Sequence, residues 1–317
     1  MKKYLLNKLI GLLVTLFIAS IMVFLIIHII PGNPAEIMSG PGASQADINA
    51  LTQRMGLDQP LWKQYVDWIS NILLHGDLGD SLYTNEPVSE LISNSLGKTL
   101  ILSFSGIMFA ILLGIPFGII SALKQNSIID VVIMGISIIG VSMPIFWLAL
   151  LLVMQFSINI PIFPATGSGT WLHLVLPSIS IGLNSLAVIA RMTRSSMLEV
   201  LKLDYIRTAE AKGISSYKII LKHALKNAMI PIVTTIAIQF GYLLGGAVLT
   251  ETVFVYPGLG RLLVNSISRR DYTTIQGCML VITAMFVVMN TLVDMIYPLL
   301  DPRVKIQNSP KVRKSRS

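Results

Sequence analysis

The sequence is poor in the groups from which most soluble chemistry is built. Its 317 residues include one cysteine, four histidines and 16 carboxylates, and only 13% of them are charged, whereas an ordinary globular domain carries about 25%. Cys278 stands alone inside a hydrophobic run, which excludes an internal disulfide framework and a cysteine-based metal site. His28, His75, His173 and His223 lie on separate segments, so no His-x-x-x-His pair or Glu-His helix motif forms locally. No Gly-x-Ser-x-Gly elbow is present. The nearest approach to a phosphate loop is Gly97-Lys98-Thr99, and it fails because Ile92 stands where the first glycine is required. No catalytic residue, cofactor or metal ligand is therefore expected on this chain.

What the sequence has is apolar length. Hydrophobic residues make up 53% of it and the mean hydropathy is +0.72. A bilayer core about 30 Å thick takes roughly 20 apolar residues per helical crossing. Six runs of about that length cover residues 9-30, 99-123, 131-158, 174-196, 229-251 and 275-299. They predict an all-α integral membrane protein of about six transmembrane helices, with residues 1-317 forming a single membrane domain. The first run starts among lysines, as a signal peptide does, but it exceeds a signal core of about 7 to 15 residues and no Ala-x-Ala site follows. It is read as the first helix.

The net charge of +8 does not point to nucleic acid, because no recognisable binding motif accompanies it. Topology explains it instead. With the N-terminus inside, the segments at Lys2 to Lys8, Lys124, Arg191 to Lys226 and Arg303 to Arg316 hold 18 of the 24 basic residues. The outer loops hold Arg54, Lys63, Arg261, Arg269 and Arg270, and Lys98 sits at a membrane edge. This positive-inside asymmetry predicts cytoplasmic N- and C-termini, with 301-317 as a basic tail.

Two connections are long. The outer one, 31-97, opens on Pro31-Gly32-Asn33-Pro34, which stops the first helix. Further on, Pro60 suits a helix start, Leu61, Tyr65, Trp68, Ile69 and Ile72 recur at helical spacing, and Gly76 suits a stop. Eight carboxylates against Arg54 and Lys63 make this loop acidic, either a docking surface or a solvated cap. The inner one, 197-228, predicts two short helices. The first ends at Gly213 and the second starts at Ser215 or Ser216 as a cap. In the second, Lys218, Lys222 and Lys226 oppose Tyr217, Ile220, Leu221 and Ala224, an arrangement expected to lie along the inner membrane surface. Each lysine near anionic lipid contributes about 1 kcal/mol.

Within the runs, Pro116, Pro144, Pro177 and Pro231 mark kinks, and Gly114-x-x-x-Gly118 and Gly241-x-x-x-Gly245 mark close helix approach. Two readings of Pro116, Pro144, Gly241 and Gly245 stay open: packing, or hinges for alternating access. Glu251 and Asp294 are acids near helix ends, where pairing or snorkelling is expected rather than proton relay.

Several stretches together resemble the dipeptide, oligopeptide and nickel class of ABC-importer permeases. They are Ile29-Ile30-Pro31-Gly32-Asn33-Pro34-Ala35, Leu57-Asp58-Gln59-Pro60-Leu61, Gly76-Asp77-Leu78-Gly79, the segment from Asp204 to Gly213, Tyr256-Pro257-Gly258-Leu259-Gly260-Arg261 and Leu299-Leu300-Asp301-Pro302-Arg303. Gln239 to Gly246 and Arg269-Arg270-Asp271-Tyr272 look closest to the glutathione and dipeptide branch. The resemblance implies a type I importer permease fold in a plasma (inner, cytoplasmic) membrane and a transport pathway for small peptides. Nickel, a nickel chelate or longer oligopeptides are the alternative cargo, and an ion channel or membrane enzyme the more distant ones. It also implies a second homologous permease subunit, two ATP-binding subunits that hold ATP and Mg, an extracytoplasmic substrate-binding protein and the surrounding lipid as partners. Ala209, Glu210, Ala211 and Gly213 would be the element coupled to the ATPase. The chain departs from the wider importer pattern, with Arg207-Thr208-Ala209 where Glu-Ala-Ala is usual and Leu225-Lys226-Asn227 near a usual Leu-Pro step.

Overall fold

The computed structural model describes residues 2–29, 35, 39, 42–54 and 56–300. Most of the Pro31 to Pro34 stop and its surroundings, and the basic tail 301-317, lie outside them. Among the described residues the chain is helical, with one isolated antiparallel bridge between Asp80 and Pro87.

The first long helix, α1, runs Lys2–Ile29. Two short helices follow in the first loop, α2 at Gln45–Arg54 and α3 at Leu61–His75. Pro60 precedes α3 and Gly76 ends it at φ +66°, a left-handed position that glycine occupies without steric cost, as expected from the sequence. Next come α4 at Val88–Leu123, α5 at Ile128–Ser142 and α6 at Ile145–Asn159, then α7 at Leu172–Leu201 and a short α8 at Asp204–Ala211. The chain closes with α9 at Ser216–Val253, α10 at Leu259–Arg269 and α11 at Tyr272–Leu300.

The long helices outrun the apolar stretches that announce them. The 36 residues of α4 span about 54 Å at 1.5 Å per residue, well beyond a hydrocarbon core of about 30 Å. Its first turns therefore belong to the loop region. The kink expected at Pro144 is a sharp one, the run 131-158 bending through 104° between α5 and α6. Met143 adopts an extended backbone (φ −79°, ψ 130°) ahead of Pro144, as the proline ring requires of its predecessor, and the helical ladder cannot cross the missing amide. The described residues thus hold five helices long and apolar enough to cross a membrane, or six if the bent pair counts as one span. One expectation needs correcting, and it concerns 215-228. These residues form the base of the 38-residue α9, with a wide π-type turn at Ile219–Ala224, and not a separate surface helix. Ser216 does begin it, but the Ser215 hydroxyl makes no capping bond.

The core is the pairing of α4 with α7, against which α9, α5 and α6 also pack. Glycines permit it. A Cβ on Gly106 would come within 2.6 Å of the Ile181 side chain, one on Gly114 within 3.0 Å of the Leu186 carbonyl, and one on Gly118 would collide with Thr193 and the Ala190 carbonyl. Gly114 and Gly118 are thus close-approach positions, with Pro116 between them inside α4. The second pair differs. A Cβ at Gly241 would stand 3.4 Å from Asn290 Oδ1 and one at Gly245 would stand 3.8 Å from Phe286, both ordinary contacts with α11. On the far side, α1 packs against α11 and carries α3.

Candidate coupling surface and its supports

At the end of the bundle rich in basic residues, the chain leaves α7, turns through Lys202 and Leu203 and makes the two turns of α8. An apolar underside holds α8 in place. Ile206 and Ala209 are buried in a cluster with Ala122, Met197 and Val200 from α4 and α7 and with Ile219, Ala224, Ala228 and Ile232 from α9. Tyr205 secures its flank, since its hydroxyl accepts from Asn227 Nδ2 at 2.8 Å. Gly213, at φ +71°, turns the chain into α9, and the amide of Ile214 donates back to the Ala209 carbonyl at 3.2 Å. Asp204, Arg207, Glu210, Ala211 and Lys212 are left exposed.

The four residues singled out for coupling therefore divide. Glu210 and Ala211 face outward and Gly213 supplies the turn, while Ala209 points into the body and seats α8 on the bundle. A small residue there lets the helix lie close to its support; a larger one would lift it.

A second arrangement lies directly above, and the sequence reading missed it. Asp130, in the first turn of α5, takes a bidentate pair from Arg194 of α7, with Nε and Nη2 each 2.7 Å from a carboxylate oxygen. The Ser121 hydroxyl and the Asn126 amide also donate to Asp130. Ser121 adjoins Ala122 of the cluster that seats α8, so the ion pair ties the α4 to α5 turn to α7 beside the α8 support. A bidentate guanidinium pair is among the strongest polar contacts available to a protein. Its signal in the sequence was an acid three residues after a capping serine, Ser127, at the edge of an apolar run; Asp130 N donates to that hydroxyl at 3.3 Å.

The opposite end is held differently. Glu251 is fully buried near the end of α9. It accepts from the Thr99 hydroxyl at 2.6 Å and from the amides of Gly260 and Arg261 at 2.8 and 3.1 Å. It therefore caps the first turn of α10, and Thr99 in turn accepts from the Leu259 amide. Neither an ion pair nor a snorkelling acid is found at Glu251; the side chain of Asp294 lies outside the described residues. Gly258 leaves room for the carboxylate, since a Cβ there would overlap it. Burial, then the charge of Glu251, raises the pKa of the neighbouring Tyr256 phenol. Nearby, Asp271 accepts from Ser81 Oγ at 2.6 Å, Leu82 N at 3.0 Å and Thr274 Oγ1 at 2.6 Å, which fastens the first loop to the start of α11. Among residues with described side chains, no group of three His, Cys, Asp or Glu could hold a metal ion.

The chain as a whole is similar to known transport proteins. Residues 114–306 match the family described as binding-protein-dependent transport system inner membrane component, and residues 1–103 match its N-terminal companion. The chain is 43% identical over 305 residues to the glutathione transport system permease protein GsiC of Escherichia coli strain K12, covering 96% of this chain and 99% of that one. The protein of the same name from Shigella boydii serotype 4 is 42% identical over the same extent. Among solved structures, an inward-facing MetNI methionine ABC transporter aligns with a TM-score of 0.57 at 18% identity, over 66% of this chain and 96% of the other. An amino acid ABC transporter solved with histidines gives 0.52 at 18% identity, over 67% and 94%. These two likenesses concern the fold.

Proposed function

The chain belongs to the family of binding-protein-dependent transport system inner membrane components, and from that premise we propose that it lines the pathway of an ATP-driven importer for small peptides such as dipeptides or glutathione. The chain is a multi-pass permease subunit, and ATP is hydrolysed on two separate subunits that bind Mg and nucleotide. A second, homologous permease completes the pathway and an extracytoplasmic binding protein delivers the cargo. The excess of basic residues around α8 supports placing that end, and both termini, in the cytoplasm. Extended likeness to glutathione permeases along nearly the whole chain favours a peptide over nickel, a nickel chelate or a longer oligopeptide.

One observation carries the coupling role: α8 exposes Glu210 and Ala211 while Ile206 and Ala209 fix its underside to α4, α7 and α9. A push on α8 is thus delivered to three long helices at once. Glu210 supplies acceptors for a partner's donors, and the left-handed turn at Gly213 keeps the chain clear of the docking face. ATP binding shifts the equilibrium between inward- and outward-open states only through its different affinity for the two.

The test uses the assembled complex. Gly213→Asp should leave assembly intact but reduce substrate-stimulated ATP hydrolysis and uptake into vesicles by tenfold or more; undiminished coupling would refute the role of α8. For cargo, calorimetric screening of the partner binding protein should find a small peptide as the tight ligand, and tight binding of a nickel chelate with none of peptides would reverse the order.

A further inference from the structure

Helix α3 has a wider apolar face than the protein covers. On a helical projection at 100° per residue, Trp68, Leu61, Ile72, Tyr65, Ile69, Trp62, Leu73 and Val66 fall within an arc of about 160°. Gln64, Lys63, Asp67, Ser70 and Asn71 take the other side, with Leu74 the one large apolar residue among them. Part of the apolar arc is used internally. Tyr65 and Trp68 pack on the Phe24 ring of α1 at centroid distances of 5.4 and 6.0 Å. The Tyr65 hydroxyl hydrogen-bonds Ser20 Oγ at 2.8 Å. Most of the rest is bare: Trp62 is 68% exposed and Leu73 76%, with Val66 and Leu61 at 49%.

Depth identifies the occupant. Ser20 and Phe24 both lie within the apolar span Leu6–Ile26 of α1, so the contacts of Tyr65 and Trp68 bring α3 to the last turns of a membrane-crossing segment. Met22, Leu25 and Ile26 of α1 are themselves exposed there, and the bare arc of α3 extends that surface sideways. A helix with one polar and one apolar face, an exposed tryptophan and a position at the edge of the hydrocarbon has the attributes of an interfacial helix.

We propose that α3 is a lipid-seated anchor: Trp62, Val66 and Leu73 enter the acyl region of the leaflet on the first-loop side, while Lys63, Asp67 and Ser70 stay in water. The first loop is then held at the membrane surface by lipid on one flank and by α1 on the other. Its acidic remainder is thereby kept close to the mouth of the pathway.

The test is nitroxide scanning of the assembled complex in lipid nanodiscs, in a Cys278→Ala background. Trp62→Cys, Val66→Cys and Leu73→Cys are labelled one at a time, with Lys63→Cys, Asp67→Cys and Ser70→Cys as the opposite face. Collision with dissolved oxygen should exceed collision with a water-soluble nickel chelate several-fold at the first three, and the ratio should invert at the other three. Free access of the nickel chelate to Trp62→Cys and Leu73→Cys would overturn the proposal. So would exclusion of both reagents from the apolar arc, which would place another protein on this face.

Discussion

Asp130 meets a guanidinium at the basic end of the bundle, whereas Glu251 and Asp271 at the loop end meet hydroxyls and backbone amides. The caps join a carboxylate to main chain that is already fixed, so they stitch α9 to α10 and α4, and the first loop to α11. The ion pair joins α5 to α7 through one flexible side chain, and its Arg194 end remains 24% exposed. Around it the helices approach across glycine, with α8 presented outside. The loop end is thus closed by many local bonds, while the basic end relies on close packing, one bidentate ion pair and the Tyr205–Asn227 hydrogen bond beside the surface proposed to meet the ATPase.

The contrast breaks most severely at Gly118. A leucine there must displace Thr193 and the Ala190 carbonyl, and overpacking of a close interface costs about 1 to 3 kcal/mol or more. Gly118→Leu should abolish folded protein, read as loss of the monodisperse peak of the detergent-solubilised chain; a normal peak would mean that α4 and α7 are not held this closely. At the other end, Glu251→Ala strands the amides of Gly260 and Arg261 and the Thr99 hydroxyl. At about 1 to 3 kcal/mol per orphaned buried group, partly relieved by water, a loss of about 3 kcal/mol is expected. Glu251→Gln retains an acceptor for the two amides and should lose about 1 kcal/mol. Equal melting temperatures for the two variants would argue against a capping role.

How much of this could be read without coordinates depends on the range of the interaction. Helix existence was legible for α4, α7, α9 and α11, because some 20 apolar residues in sequence require no partner to be recognised. The stops at Gly76 and Gly213 were legible for the same local reason. The bend at Pro144 was visible only as a proline: its ring predicts a break, but whether the helix kinks or turns through 104° is decided by packing of α5 and α6 on α7. The base of α9 was misjudged because Lys218, Lys222 and Lys226 at spacing of four suit a surface helix and the end of a long one equally well. Of the segment proposed to couple, the short helix and the turn at Gly213 were legible and the inward direction of Ala209 was not. The pair of Asp130 with Arg194 joins residues 64 apart, and nothing local relates them.

A smaller loss, about 2 kcal/mol, is expected from Arg194→Met, which leaves the Asp130 carboxylate with Ser121 and Asn126 alone. Adding Asp130→Asn should recover part of it, because a buried pair removed together is far less costly than one partner removed. The double variant sharpens the comparison between the ends. If it regains thermal stability but not uptake, the ion pair serves transport as well as folding. Recovery of both would make it a structural tie alone.

The least effect on stability belongs to Gly241 and Gly245. Each would accept a Cβ in ordinary contact with α11, at 3.4 Å from Asn290 and 3.8 Å from Phe286, and alanine favours a helix interior over glycine by about 1 kcal/mol. Gly241→Ala and Gly245→Ala should therefore fold as well as the parent, or melt slightly higher. If these positions serve as a hinge where α9 moves against α11, uptake by the assembled complex should fall several-fold despite unchanged assembly. Unchanged uptake would leave them as packing positions, and loss of assembly together with uptake would show that the α9 to α11 contact tightens in another state of the cycle. The outcome separates two glycine pairs that look alike in sequence: one at the basic end that closes an interface, and one higher in the bundle with room to move.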